Sequence, residues 1–131
     1  MPLLQKLLPA LLPILVTTAN AGASAADMVA VPVTVMNAGT EPVSCQAEIA
    51  HWFSAELASI APGRDRALDI WRDPATGSHA TRNEHGEFLP VERAWCGIEG
   101  RAYVTRWQIT LKPAMPRRLT CAAAGDRLAC R

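Results

Sequence analysis

The stretch VSCQAEIAHWF, residues 43–53, alternates between two sets of side chains and predicts a half-buried β-strand. The odd-numbered positions carry the mainly apolar set, which is Val43, Cys45, Ala47, Ile49, His51 and Phe53. The even-numbered positions begin with Ser44, Gln46 and Glu48. Because successive side chains of a strand point to opposite faces of the sheet, we expect the odd-numbered face to be buried.

The same alternation recurs on both sides of this stretch, in short runs separated by turn residues. We predict further strands in residues 29–36, 66–71, 88–96, 102–111 and the terminal hairpin 119–130. Residues 54–60 fit either an irregular strand or a helical turn. The run 102–111 is the most regular, with an expected inner face of Tyr103, Thr105, Trp107, Ile109 and Leu111.

The chain has four cysteines, which are Cys45, Cys96, Cys121 and Cys130. An even number without any C-x-x-C pair favours two disulfides over a metal site. Gly125-Asp126 suits a type II′ turn, and folding the chain about it sets Cys121 opposite Cys130. This is a non-hydrogen-bonded position, where Cα atoms approach to roughly 4.5 Å, so the two cysteines are within bridging range.

Cys45 and Cys96 are left to join each other. Their bridge closes a loop of about fifty residues and contributes on the order of 4 kcal/mol. We expect it to tie early and late strands, as the inter-sheet bridge of immunoglobulin-like domains does. The strand count predicts an all-β fold in residues 26–131, namely one small antiparallel immunoglobulin-like β-sandwich with two disulfides. A small open β-barrel is the alternative.

Residues 1–25 are predicted to be a secretory signal peptide. Lys6 supplies a positive charge, residues 7–16 are apolar, and two cleavage triplets follow, Ala19-Asn20-Ala21 and Ala23-Ser24-Ala25. We favour cleavage after Ala25. The apolar run is too short to span a bilayer, so an uncleaved anchor is the less favoured reading and no membrane insertion is expected after cleavage. The predicted location is periplasmic or secreted.

Charge argues against nucleic acid as a partner. The chain has 13 basic and 12 acidic residues, and the basic Lys6 is lost with the signal peptide. No polybasic run is present in the remaining sequence. Nucleic acids and anionic membranes usually require a net positive surface, so neither is expected to bind.

Candidate catalytic and metal-binding groups are few. His51, His79 and His85 do not have a helical metal-ligand spacing. A surface metal site at His79 and His85, with Glu84 and Glu87 nearby, is conceivable, but a solvated loop is favoured. The sequence has no G-x-S-x-G or H-E-x-x-H motif, so we assign it no catalytic residue, metal or cofactor.

The four tryptophans are Trp52, Trp71, Trp95 and Trp107. We expect Trp107 to be a core residue that packs on the Cys45–Cys96 bridge. Trp52 is at an even-numbered position of its strand, on the face expected to point outward. Trp95 is on the strand face opposite to that of Cys96, and Arg93 is on the same face as Trp95. If they are exposed, Trp52, Trp95 and Arg93 form an aromatic and arginine binding surface. The alternative is that a loop covers the two tryptophans.

These observations favour a non-enzymatic exported module that binds or assembles with another envelope or secreted protein of a bacterial-type envelope. One alternative is an enzyme inhibitor or accessory subunit that docks a loop, residues 73–85, into an enzyme. The third alternative is a carrier of a small ligand or metal, or a hydrolase.

Overall fold

The computed structural model describes residues 9–16, 27–50 and 53–131. Most of the predicted signal peptide, including Lys6 and both cleavage triplets, lies outside these residues, as do His51 and Trp52. Residues 9–16 have no regular secondary structure. Within the described ranges, no helix has the length and apolar character needed to cross a bilayer.

The described residues form eleven strands and no α-helix. The strands are β1 (Val29–Ala30), β2 (Val33–Asn37), β3 (Val43–Ile49), β4 (Phe53–Ile60), β5 (Asp65–Leu68), β6 (Trp71–Arg72), β7 (His79–Arg82), β8 (Phe88–Ile98), β9 (Trp107–Ile109), β10 (Arg117–Ala124) and β11 (Arg127–Cys130). Residues 54–60 are therefore strand rather than helical turn, and β8 continues through Pro90.

The strands form two sheets that do not close into a barrel. The first sheet has the order β1-β6-β7-β8-β3-β4, with β9 also paired to β8, and the second has the order β11-β10-β2-β5. The predicted all-β fold with two sheets and two disulfides is confirmed. The pairing is antiparallel except between β2 and β10, which run parallel.

Two chain segments, residues 29–37 and 65–72, each contribute one strand to each sheet. β1 pairs with β6 in the first sheet and β2 pairs with β5 in the second, in the same continuous register. The Val31 N–H donates to the Ile70 carbonyl at 2.8 Å between the two ladders. Pro32 follows and has no N–H to donate, which favours a break in the ladder. The predicted strand 29–36 is therefore divided, and Val29 is exposed rather than inward.

In the part of the chain that the structure describes, a hydrophobic core lies between the sheets and includes inward side chains of β2, β3, β8 and β11. Both disulfides are buried in it and both lie within a sheet. Cys45 is directly opposite Cys96 on β3 and β8, with a Cα–Cα distance of 4.0 Å. The comparison with an inter-sheet bridge is therefore wrong, although the bridge does join an early and a late strand.

The terminal hairpin has the predicted register. Cys121 is opposite Cys130, their Cα atoms are 4.1 Å apart, and the pairing continues inward to Ala124 opposite Arg127. Gly125 has a φ of +66°, which glycine adopts without the strain that a Cβ would cause.

Two predicted strands are too long. β3 ends at Ile49 because Ala50 has a φ of +47° and Phe53 pairs back to Ile49, which leaves Phe53 exposed. In the run 102–111 only Trp107–Ile109 is strand, and residues 101–105 form turns. One physical reason is the Thr105 hydroxyl, whose hydrogen bonds to the Ile98 N–H and the Arg101 carbonyl compete with a strand ladder.

Candidate functional site

The chain after β8 folds back over the outer face of that strand. Glycine at position 97 permits this, since a Cβ there would lie only 2.1 Å from the Ala102 carbonyl oxygen. Arg101 N–H donates to the Ile98 carbonyl at 3.0 Å and begins the turn. We call residues 99–106 the covering turn. Its backbone lies so close to β8 that no other residue type fits at position 97.

Thr105 fastens the covering turn to both sheets. Its Oγ1 accepts the Ile98 N–H and donates to the Arg101 carbonyl, each at 2.8 Å. Its carbonyl accepts the Leu128 N–H of β11, also at 2.8 Å. Because the buried Thr105 hydroxyl has both a donor and an acceptor as hydrogen-bond partners, its burial leaves no hydroxyl hydrogen bond unmade. The covering turn is therefore a fixed part of the domain.

Trp95 lies beneath the covering turn and is only 5% exposed. Its ring meets Tyr103 edge to face, with centroids 5.8 Å apart. Its Nε1 has no hydrogen-bond partner among the described residues. The hypothesis that Trp95 is exposed is therefore wrong, and the alternative that a loop covers it is correct.

The other two residues of the expected surface have different outcomes. Arg93 is exposed, and its guanidinium pairs with Glu48 on β3, with Nε donating at 3.0 Å. Trp52 lies outside the described residues. The structure therefore does not bring Trp52, Trp95 and Arg93 together as one exposed surface within the part of the chain that it describes.

An exposed aromatic and arginine surface does exist, on different residues. Tyr103 is 58% exposed, Val104 70% and Trp107 40%. The Arg106 guanidinium lies 4.1 Å from the Tyr103 ring centroid, and its Nη1 donates to the Tyr103 carbonyl at 2.8 Å. We call Tyr103, Val104, Arg106 and Trp107 the aromatic patch. It presents tryptophan, tyrosine and arginine, the types enriched at binding hot spots.

Sequence reasoning missed the aromatic patch because it placed Tyr103 and Trp107 on an inner strand face. Trp107 does pair opposite Cys96, as an inner residue of β9 would, but it is exposed, so the prediction that it is a core residue is wrong. Gly100, which has a φ of +85°, was the available signal that a turn precedes this segment.

In a second aromatic cluster, the polar side-chain groups form hydrogen bonds and an ion pair with one another. Asp69 accepts the Trp71 Nε1–H at 3.0 Å and pairs with Arg82 at 2.7 Å. Arg82 also lies over the Trp71 ring, which meets Phe88 edge to face. The hydrogen bond from Arg82 is the largest influence on Asp69 and lowers the pKa of its carboxyl. Because these groups satisfy one another, we interpret the cluster as structural.

An open groove of about 800 Å³ lies along β8 and is lined by residues 76–79, 90–93 and 108–112. We call it the strand-end groove, since β7 and β9 stop on either side of it. His79 lines it but is only 6% exposed. Residues 79–82 form β7 and the first three are buried, so residues 73–85 are not one continuous docking loop as hypothesised.

His79 and His85 do not form the conceivable metal site. His79 is buried at the start of β7, whereas His85 is exposed in the turn that follows the strand. Within the described ranges, no group of three or more potential ligand side chains is close enough to hold a metal ion.

No protein-family model matches the chain, and no curated protein sequence matches it.

Proposed function

We propose that this domain is an exported, non-enzymatic protein-binding module that contacts its partner through the aromatic patch. The observation that carries the proposal is the exposure of Tyr103 and Val104, on a turn held in place by Gly97 and Thr105, and of Trp107, which begins β9 directly after that turn. A surface already ordered in the free protein loses little conformational entropy on binding, which favours affinity.

The proposed partner is another envelope or secreted protein. Two buried disulfides are typical of oxidising compartments, which supports export to the periplasm or the exterior after cleavage of residues 1–25. Arg106 has no acid within ion-pair distance among the described residues. A partner surface that combines apolar side chains with a carboxylate would therefore complement the aromatic patch.

Site-specific photo-crosslinking in the native host tests this proposal. A photo-reactive amino acid at Val104 of the full chain should give one discrete cross-linked species in the envelope fraction. The same amino acid at Arg127, which is exposed on the terminal hairpin, should not give that species. Adding Trp107→Ala should reduce the yield by about thirtyfold, since a hot-spot truncation costs at least roughly 2 kcal/mol.

Phe53→Ala is the matched control, because Phe53 is an exposed aromatic residue at the start of β4, outside the aromatic patch. It should leave the yield unchanged. The proposal fails if Val104 gives no discrete species, if Arg127 gives the same species, or if the cross-link survives Trp107→Ala.

A further inference from the structure

The strand-end groove exists because two strands stop short of each other along β8. The β7 pairing begins at His79, opposite Val91, and the β9 pairing ends at Ile109, opposite Ala94. Glu92 and Arg93 of β8 therefore lie between the two partner strands and pair with neither of them. The space of about 800 Å³ is within the size range of sites that hold small molecules or short peptide segments.

Two cations without acidic partners lie at this space and at the smaller groove next to it. Lys112 lines the strand-end groove and also a smaller adjoining groove, which it shares with Gly77 and Arg72. The Arg72 Nη2 would lie 3.9 Å from a Cβ built on Gly77, so its guanidinium reaches the wall between the grooves. Among the described residues, neither Arg72 nor Lys112 has an acid within ion-pair distance.

Other charged groups lie near these two cations, and none of them forms an ion pair with either one among the described residues. Arg93 lines the strand-end groove but pairs with Glu48. Glu92 also lines it and has an interaction of its own. Asp73, next to Arg72 in sequence, accepts the Ala75 N–H with its Oδ1 at 2.9 Å. Arg72 and Lys112 are therefore the cations here that no described acid pairs with.

His79 lies close enough to Arg72 and Lys112 for their positive charges to influence its pKa. Its imidazole is more than nine-tenths buried, and its Nε2 has no hydrogen-bond partner among the described residues. Burial is the main cause that lowers the pKa of His79, and the positive charges of Lys112 and Arg72 lower it further. An anion held by those two residues would offset their effect and favour protonation of the ring.

We propose that the strand-end groove, together with the smaller groove that adjoins it at Gly77 and Lys112, is a binding site for an oxyanion of the carboxylate or phosphate class, held by Arg72 and Lys112 with His79 in the groove wall. The remaining space accommodates whatever carries the anionic group, such as a few residues of a peptide. The site is separate from the aromatic patch and does not depend on the proposed function.

Titration of the His79 ring protons by NMR tests this, with the disulfide-bonded protein in chloride, acetate or inorganic phosphate at equal ionic strength. Acetate, phosphate or both should move the midpoint of the His79 titration to higher pH in a saturable way. The anion that gives the larger change shows whether the group bound is a carboxylate or a phosphate. The exposed His85 is the reference within the molecule and should be unaffected.

Variants separate specific binding from general screening. Arg72→Gln combined with Lys112→Gln should weaken anion binding by about tenfold, and Lys112→Gln alone by about threefold, from the usual strength of exposed charge pairs. Lys112 is exposed, so its single variant should fold normally. Arg127→Gln removes a distant exposed charge and should change nothing. The proposal is overturned if neither anion gives a saturable change, or if Lys112→Gln binds as the parent does.

Discussion

Buried polar side chains hold the irregular parts of this domain in place. Asn37 is fully buried at the end of β2, and its Nδ2 donates to the carbonyls of Glu41 and Ile60 at 2.8 and 3.0 Å. Its Oδ1 accepts the Gly39 N–H at 3.0 Å. Thr105 does the same for the covering turn. Each side chain replaces backbone hydrogen bonds where a ladder ends, so burial costs little.

His79 should make the stability of the domain sensitive to acid. Burial lowers the pKa of His79 in the folded state, so the unfolded chain, with a pKa near 6.5, binds the proton more readily. The stabilising effect of a neutral His79 is therefore complete above about pH 6.5 and is lost as the pH falls below it. Urea unfolding in chloride buffers should show the free energy of unfolding falling between pH 7 and 5.

His79→Gln should reduce that fall, whereas His85→Gln, which changes an exposed histidine, should preserve it. Asp69 loses its stabilising effect only at more acidic pH, because its lowered carboxyl pKa lies below the tested window. Equal pH dependence in the parent and the His79→Gln variant would contradict the prediction.

At the scale of elements, the covering turn decides which aromatic side chains are at the surface. It covers Trp95 with Tyr103 and leaves Tyr103, Val104 and Trp107 in solvent. Its position depends on Gly97, since backbone atoms of Ala102 occupy the space that a Cβ would need. The aromatic patch is thus a consequence of one close approach between a turn and a strand.

Gly97→Ala should therefore displace the covering turn. We expect a loss of about 1–3 kcal/mol in the free energy of unfolding, the usual cost of overpacking, and faster hydrogen exchange of the Trp95 indole N–H. Gly39→Ala is the matched control, because a Cβ there meets its nearest atom at an ordinary 3.4 Å and should change stability by about 0.5 kcal/mol or less. Equal stability of the two variants would refute this account of the covering turn.

At the scale of the whole molecule, no disulfide in the described residues joins the two sheets. The Cys45–Cys96 bridge links neighbouring strands of the first sheet, and the Cys121–Cys130 bridge links neighbouring strands of the second. The sheets are held together by the shared core, by the β1–β6 and β2–β5 segments that pass from one sheet to the other, and by the hydrogen bond from Leu128 to Thr105. We therefore expect each bridge to act chiefly by restricting the unfolded chain.

The two bridges should differ in their contribution to stability. The Cys45–Cys96 bridge spans 51 residues and the Cys121–Cys130 bridge spans 9. Chain entropy predicts that replacing both cysteines by alanine costs about 4 kcal/mol for the first pair and about 2.5 kcal/mol for the second. Urea unfolding of the two double variants measures this difference. A larger loss from Cys121→Ala with Cys130→Ala would show that native-state packing, rather than loop closure, dominates.

The sequence by itself determined the features that depend on neighbours along the chain. Alternation at Cys45, Ala47 and Ile49 identified a buried strand face, and the spacing about Gly125 set the hairpin register and one disulfide. These follow from the two-residue period of a strand and from turn geometry, which are local. The second disulfide followed because only one pair of cysteines remained.

Only the tertiary structure decided which alternating side chains reach solvent. Tyr103 and Trp107 follow the strand pattern, yet they are exposed because a turn forms at Gly100 and packs on Gly97. Trp95 has outward parity but is buried for the same reason, and His79 is buried where two strands stop short of each other. Parity assigns a side chain to a face of a sheet, whereas burial depends on what covers that face, and distant parts of the chain supply the cover.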